Sequence, residues 1–223
     1  MTKDIAGPGV RRSIIFVGLL AVLGYLVSAL RDAVLAAFYG GSPALDVYFI
    51  ALSPAQFLGM EGASLAYLAF LPEFARAGGD AQGLHGHLLR ARLGFAVKVG
   101  CGAALLLTAA GVLSPQWLAP GYAGHRALGG LRISIAVLST LIPGLLVLGV
   151  VRAALEARAR FSAWALLPGF RSTVLIACVL LSASHPTLVW LLAGSVLGVG
   201  LAIAYAARMS RDHARAFMLR APA

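Results

Sequence analysis

Charge is scarce in this chain. Asp, Glu, Lys and Arg make up 12 % of its 223 residues, against about 25 % in an ordinary soluble domain. Acids are the scarcest, at 8 beside 18 Lys and Arg. The shortage of charge argues against an ordinary water-soluble domain. The chain has only two cysteines, Cys101 and Cys178, both inside apolar runs. Their spacing suits neither a disulfide framework nor a metal site, and they read as small buried residues. No GxxxxGK[ST] loop occurs, so nothing points to ATP hydrolysis. No Ser/His/Asp or Cys/His arrangement stands out. The histidines (His85, His87, His125, His185 and His213) lie in or beside loops, and His85 and His87 have no third ligand near them. The expectation is no metal, no cofactor and no enzyme.

Apolar residues fill the space that charge leaves. They make up 60 % of the sequence, and the mean hydropathy is +0.89. They are gathered into long runs, each near the roughly 20 residues that cross a bilayer. The expected spans are 12–38, 43–71, 88–113, 127–155, 161–182 and 187–207. The fold class read from this pattern is all-α: a polytopic membrane protein with six transmembrane helices in a single domain, 1–223. The first run is too long for a cleavable signal peptide and reads as a span. Gly40 and Gly41 form a turn, with Pro43 placed to open the second helix. Pro54 predicts a kink or break in that helix near Ser53, and Pro143-Gly144 and Pro168-Gly169 lie within spans four and five. Short loops predict antiparallel packing of neighbouring spans. Small-residue faces at Gly94/Lys98/Gly102 and Gly194/Gly198/Ala202 predict close helix contacts.

The basic residues fall in alternate connections. Lys3, Arg11 and Arg12 precede span one; Arg76, Arg90 and Arg92 lie between spans two and three; Arg152, Arg158 and Arg160 between four and five; Arg208, Arg211, Arg215 and Arg220 follow span six. The opposite connections hold only Arg126. Basic loops stay in the cytoplasm, so both termini are expected there. The net charge of +10 therefore reads as retention at a membrane of anionic lipids, not as a nucleic-acid patch.

A smaller set of ionisable residues falls within the spans: Arg31, Asp32, Asp46, Glu61, Lys98, Arg132 and Arg171. Such groups are costly in lipid and mark candidate functional positions. Arg31 lies roughly 28 Å along span one from Arg12 at a rise of about 1.5 Å per residue, towards the outer leaflet. Asp46 starts span two on the same side, so either acid is a possible partner for Arg31. Glu61 and Lys98 are expected to meet at comparable depth. One reading is a set of ion pairs that orders the helices. The other is a polar, slightly positive cavity for an anionic head group, which arginine binds well.

In order along the chain, several motifs resemble the MurJ/MviN family of lipid II flippases, within the multidrug/oligosaccharidyl-lipid/polysaccharide exporter superfamily. The run LRDAVLAAFYGGSPALDVYFIAL at 30–52 is similar to the family's Arg-Asp pair, Gly turn and Asp followed by aromatic residues, here Arg31-Asp32, Gly40-Gly41 and Asp46 with Tyr48 and Phe49. EGA at Glu61–Ala63 with AFLP at Ala69–Pro72, APGY at Ala119–Tyr122 with its Pro120-Gly121, and RFSAWALLP at Arg160–Pro168 also resemble family stretches. The resemblance implies a MATE-like lobe of six helices in a bacterial cytoplasmic (inner) membrane. It implies half of a pathway that rocks around a cationic cavity with a second lobe, supplied by a homodimer or a separate chain.

Two function classes stay open. In one, the chain is a flippase or half-transporter for a lipid-linked anionic glycan, working by alternating access. In the other, it is a non-transporting scaffold or regulatory subunit in an envelope polysaccharide or peptidoglycan assembly. Membrane lipids are partners in both, and nucleic acid in neither.

Overall fold

A computed structural model describes residues 8–77, 82–119, 128–158, 167–182 and 185–218. Among these residues the secondary structure is helical throughout, without a strand. The elements are α1 (Pro8–Tyr39), α2 (Pro43–Ala77), α3 (Gln82–Leu113), a single turn α4 (Pro115–Leu118), α5 (Leu128–Ser139), α6 (Leu141–Glu156), α7 (Leu167–Leu181) and α8 (Leu188–Met218). Pro120 and Gly121 lie outside the described residues.

Among the described residues, four stretches are apolar and long enough to cross a bilayer: Ile15–Tyr39, Gly86–Leu113, Leu128–Glu156 and Leu188–Met209. Helix α2 has the length, at 35 residues, but Asp46, Gln56 and Glu61 dilute its apolar character. The apolar helix Gly169–Leu181 is shorter. Large apolar side chains cover the outside, including Leu19, Leu23, Leu26, Leu105, Leu106 and Leu181. Water would penalise that surface, whereas lipid tails solvate it. The architecture is that of a polytopic helical membrane protein.

The turn between α1 and α2 forms as the sequence predicts. Gly40 N–H donates to Ala36 O at 2.9 Å and Ser42 N–H to Tyr39 O at 2.9 Å. Gly41 sits at φ +76°, a left-handed conformation that a Cβ disfavours. The break allowed for at Pro54 does not occur. Helix α2 runs unbroken through Pro54 and Pro72. The break falls instead in span four, between α5 and α6 at Thr140. Pro143 explains it, because its ring occupies the place of an N–H and crowds the carbonyl of Ser139 four residues earlier. Thr140 supplies local bonds there, from its N–H (3.2 Å) and its Oγ1 (2.6 Å) to Val137 O.

Helix α6 is the centre of the molecule. Leu141, Ile142, Leu145, Leu146, Leu148, Val150, Ala153 and Leu155 are all buried, among α2, α3 and α8. Helices α2 and α6 approach most closely at Gly149, where an added Cβ would come within 2.7 Å of Ala63 Cα. Antiparallel pairing of sequence neighbours holds only in part. Helices α7 and α8 pack together, but α1 leans on α7 and scarcely touches α2 beyond the turn. The Gly194/Gly198/Ala202 face is used: Gly194 meets Leu175 and Cys178, and Gly198 meets the backbone of Arg171. The Gly94/Gly102 face is not, since nothing approaches either glycine within 4 Å. Cys178 is buried as expected, but Cys101 lies on the outer side of α3 and is exposed.

Candidate functional site

A polar seam runs where α1 and α2 meet α7 and α8. At the end near the α1–α2 turn Tyr39 Oη lies 3.0 Å from Ser182 Oγ and donates to Thr187 O at 3.2 Å. Next, Tyr48 Oη lies 2.8 Å from Ser195 Oγ. Further in, Ser28 Oγ lies 3.0 Å from Ser172 Oγ. Each serine already spends its one proton on its own helix: Ser182 on Val179 O at 2.8 Å, Ser195 on Leu191 O at 2.9 Å and Ser28 on Gly24 O at 3.0 Å. It follows that Tyr48 donates to Ser195 and Ser172 to Ser28, while the one proton of Tyr39 serves Thr187 O and Ser182 Oγ between them.

Two of the predicted residues come together in this seam. Arg31 follows Ser28 by one helical turn, and Arg171 directly precedes Ser172. The Ser28–Ser172 contact sets the two residues on facing stretches of α1 and α7. Arg31 is partnered by its neighbour Asp32, with Nε and Nη2 at 2.9 and 2.7 Å from the same Oδ1. Adjacent positions on a helix face different neighbours, but the long arginine side chain bends back across that angle. Asp46 is not the partner. It is exposed and makes no ion pair or side-chain hydrogen bond among the described residues, because α1 and α2 diverge beyond their turn. Its place in the first turn of α2 suits the positive end of the helix dipole.

The remaining predicted residues stay apart. Glu61, Lys98 and Arg132 are all exposed and form no ion pair among the described residues, so the expected meeting of Glu61 with Lys98 does not occur. The register of α2 against α3 explains this. Arg92 clamps Glu73 with bonds of 2.9 and 3.0 Å, and Phe70 stands edge-on to Phe95 at 6.2 Å. From those marks Glu61 lies about 9 Å further out than Lys98, at a rise of about 1.5 Å per residue. The residue Pro54 is accommodated within α2, and Gly40 and Gly41 serve the turn.

Sequence reasoning missed a cluster at the opposite end of the bundle. Glu156, on the last turn of α6, accepts from Tyr67 Oη at 2.7 Å and from Arg152 Nε at 2.8 Å. The Arg152 guanidinium also lies 4.3 Å from the centre of the Tyr67 ring, within cation–π range. The available signal was the i,i+4 spacing of Arg152 and Glu156. This cluster and the Glu73–Arg92 pair bring the ends rich in arginine together on one side of the bundle.

One face of α2 remains uncovered. Asp46, Phe49, Ser53, Phe57, Met60, Glu61, Ser64 and Leu68 are exposed along it at helical spacing. This stripe mixes polar, aromatic and aliphatic side chains.

No family model, curated protein or solved structure matches the chain. The fold and the seam together define a class: a multi-pass helical membrane protein with paired and unpaired ions inside its spans.

Proposed function

We propose that the chain is one lobe of a transporter, a flippase or half-transporter for a lipid-linked anionic glycan, closing a pathway against a second lobe in a bacterial cytoplasmic membrane. The observation that carries the reading is the α2 stripe. Asp46 and Glu61 are exposed there beside Ser53 and Ser64. An ionised side chain at the bilayer centre costs about 2.5–3.5 kcal/mol on insertion scales. A stripe of this kind suits a hydrated path or a protein partner better than hydrocarbon. The divergence of α1 from α2 supports the same reading, since it opens the Arg31 end of the seam to that face.

A reconstituted system tests the proposal. Full-length protein in proteoliposomes is given a fluorescent lipid bearing a pyrophosphate-linked sugar, and its exposure to an impermeant reductant is followed. Faster crossing than in empty vesicles is expected, with loss in Arg31→Ala at unchanged insertion. Crossing no faster than in empty vesicles, from protein with a native helical spectrum, would sink the reading. The scaffold alternative draws on a different observation: Arg31, Arg92 and Arg152 are each already paired with a carboxylate, as helix-ordering ions would be.

A further inference from the structure

We infer that a groove between α3, α6 and α8 seats an acyl chain of an anionic membrane lipid, with the charged end of that lipid beside Arg90. The inference requires only that the chain spans a membrane, not that it moves a cargo.

The groove follows from the interruption of span four. Helix α6 restarts after Thr140 and carries Pro143 and Gly144 in its first turn. Gly100 of α3 presses on Pro143 and leaves no room there for a Cβ. On the other flank, a Cβ at Gly144 would come within 2.6 Å of Val199 Cγ1 and 3.4 Å of Ile203 Cδ1 on α8. Two helices therefore meet α6 at this level, and the missing side chain of Gly144 leaves a trough between them. Leu93, Val97, Pro143, Gly144, Val147 and Ile203 line it, and its volume is about 390 Å³. Small-ligand pockets hold roughly 300–1,000 Å³. The contact of Gly100 with Pro143 bounds one end. Val97 and Leu93, one and two turns nearer the arginine-rich end, stay partly exposed.

The surroundings decide what fills the trough. None of its lining side chains is polar, so water finds no partners there. Its flanks are bulky and apolar: Phe95 and Val99 of α3 and Leu197 and Leu201 of α8 are all exposed. The solvent for such a face is hydrocarbon. On α3 the seat runs from Leu93 to Val97, about 6 Å at the helical rise. That suits a slender, flexible chain. A helix with its side chains is about 10–12 Å across, and helices pack closely in lipid through small residues rather than against flanks of this kind.

Charge at the rim selects the lipid. Arg90 shares one face of α3 with Leu93 and Val97, at positions i, i+3 and i+7. It lies about 4.5 Å past Leu93 towards the arginine-rich end. It is exposed and forms no ion pair among the described residues. Arg208 of α8, exposed and likewise without an ion pair among those residues, lies about 7.5 Å past Ile203 in the same direction. A chain lying in the trough emerges at a rim with two cations, and basic residues at a membrane surface draw anionic lipids.

The test is photocrosslinking of the full chain in vesicles of phosphatidylcholine and phosphatidylglycerol in equal parts. Either lipid carries a diazirine on one acyl chain, and the labelled residues are located by peptide mass spectrometry. The phosphatidylglycerol probe is expected to label Leu93, Val97 and Val147 more heavily than Leu105 and Leu106, which are exposed further along α3. It should exceed the phosphatidylcholine probe about fivefold, and Arg90→Gln should remove most of that preference. Val97→Trp fills the seat and should abolish the local excess; Leu106→Trp, an equal change outside it, should leave the excess in place. Even labelling along the exposed side of α3 in wild-type protein with a native helical spectrum overturns the inference. So does an excess that survives in Val97→Trp. Equal capture of the two probes overturns the assignment to an anionic lipid. Labelling of the seat that appears only when the protein is diluted in lipid shows a second copy lying there instead, and overturns it as well.

Discussion

Replacing Glu156 by Ala should loosen the arginine-rich end of the bundle more than any other single loss of charge. The carboxylate holds two helices at once, with Tyr67 of α2 at 2.7 Å and Arg152 of its own helix at 2.8 Å. Its side chain is only 9 % exposed, while that of Arg152 is 35 % exposed. Breaking a fully buried ion pair costs about 3–5 kcal/mol. The partial exposure of Arg152 lets water and head groups screen the arginine that remains, so about 2–3 kcal/mol is expected. Tyr67→Phe removes one hydrogen bond to a charged acceptor and should cost about 1.5–3 kcal/mol. The two changes share a partner, so they should not add; a double-mutant cycle should give a coupling of about 1–2 kcal/mol. The assay is reversible unfolding in mixed micelles, followed by circular dichroism with increasing denaturing detergent. Additivity of the two substitutions within about 0.3 kcal/mol would refute the idea that this carboxylate ties α2 to α6.

Gly149→Val should be more damaging than a change of similar size on the outer face of α1, because it forces α6 away from the Ala63 backbone; a loss of about 3 kcal/mol or failure to fold is expected, and a variant as stable as wild type would contradict the close approach. Cys101 and Cys178 should label differently in membranes: a lipid-soluble maleimide should modify Cys101, on the exposed side of α3, and spare buried Cys178. Equal labelling of the two would show that α7 and α8 do not close over Cys178.

The spans were legible because the apolar runs are long and their ends are punctuated. Pro43 and the Gly40-Gly41 turn fix the start of α2 within the residues expected. Which proline interrupts its helix was not legible. Pro54 and Pro143 carry the same local penalty, and only the packed structure shows α2 continuous and span four broken at Thr140. The ion pairs were harder still. Depth along a span left Asp32 and Asp46 both open for Arg31 and suggested Lys98 for Glu61. Depth ignores which helices are neighbours and how far each has slid. Helix α1 rests on α7 and scarcely touches α2, so Arg31 turns to Asp32 on its own helix, and the Glu73–Arg92 clamp sets a register that separates Glu61 from Lys98. Arg152 and Glu156 were within reach of sequence reasoning, since their spacing is local, but the tyrosine that completes their cluster comes from 89 positions away.

The distribution of satisfied and unsatisfied ions argues against a purely architectural role for all of them. Helix order needs pairs, and the molecule has them at Glu73–Arg92 and Arg152–Glu156, both at the end where water and lipid head groups are close. There a pair forms with modest desolvation and fixes register between α2, α3 and α6. The outer seam is built differently. Its helices are already joined by hydroxyl bonds between α1 and α7, between α1 and the start of α8, and between α2 and α8. Those bonds hold the helices without any help from Arg171. Arg171 forms no ion pair among the described residues, so helix order by ion pairing does not account for it.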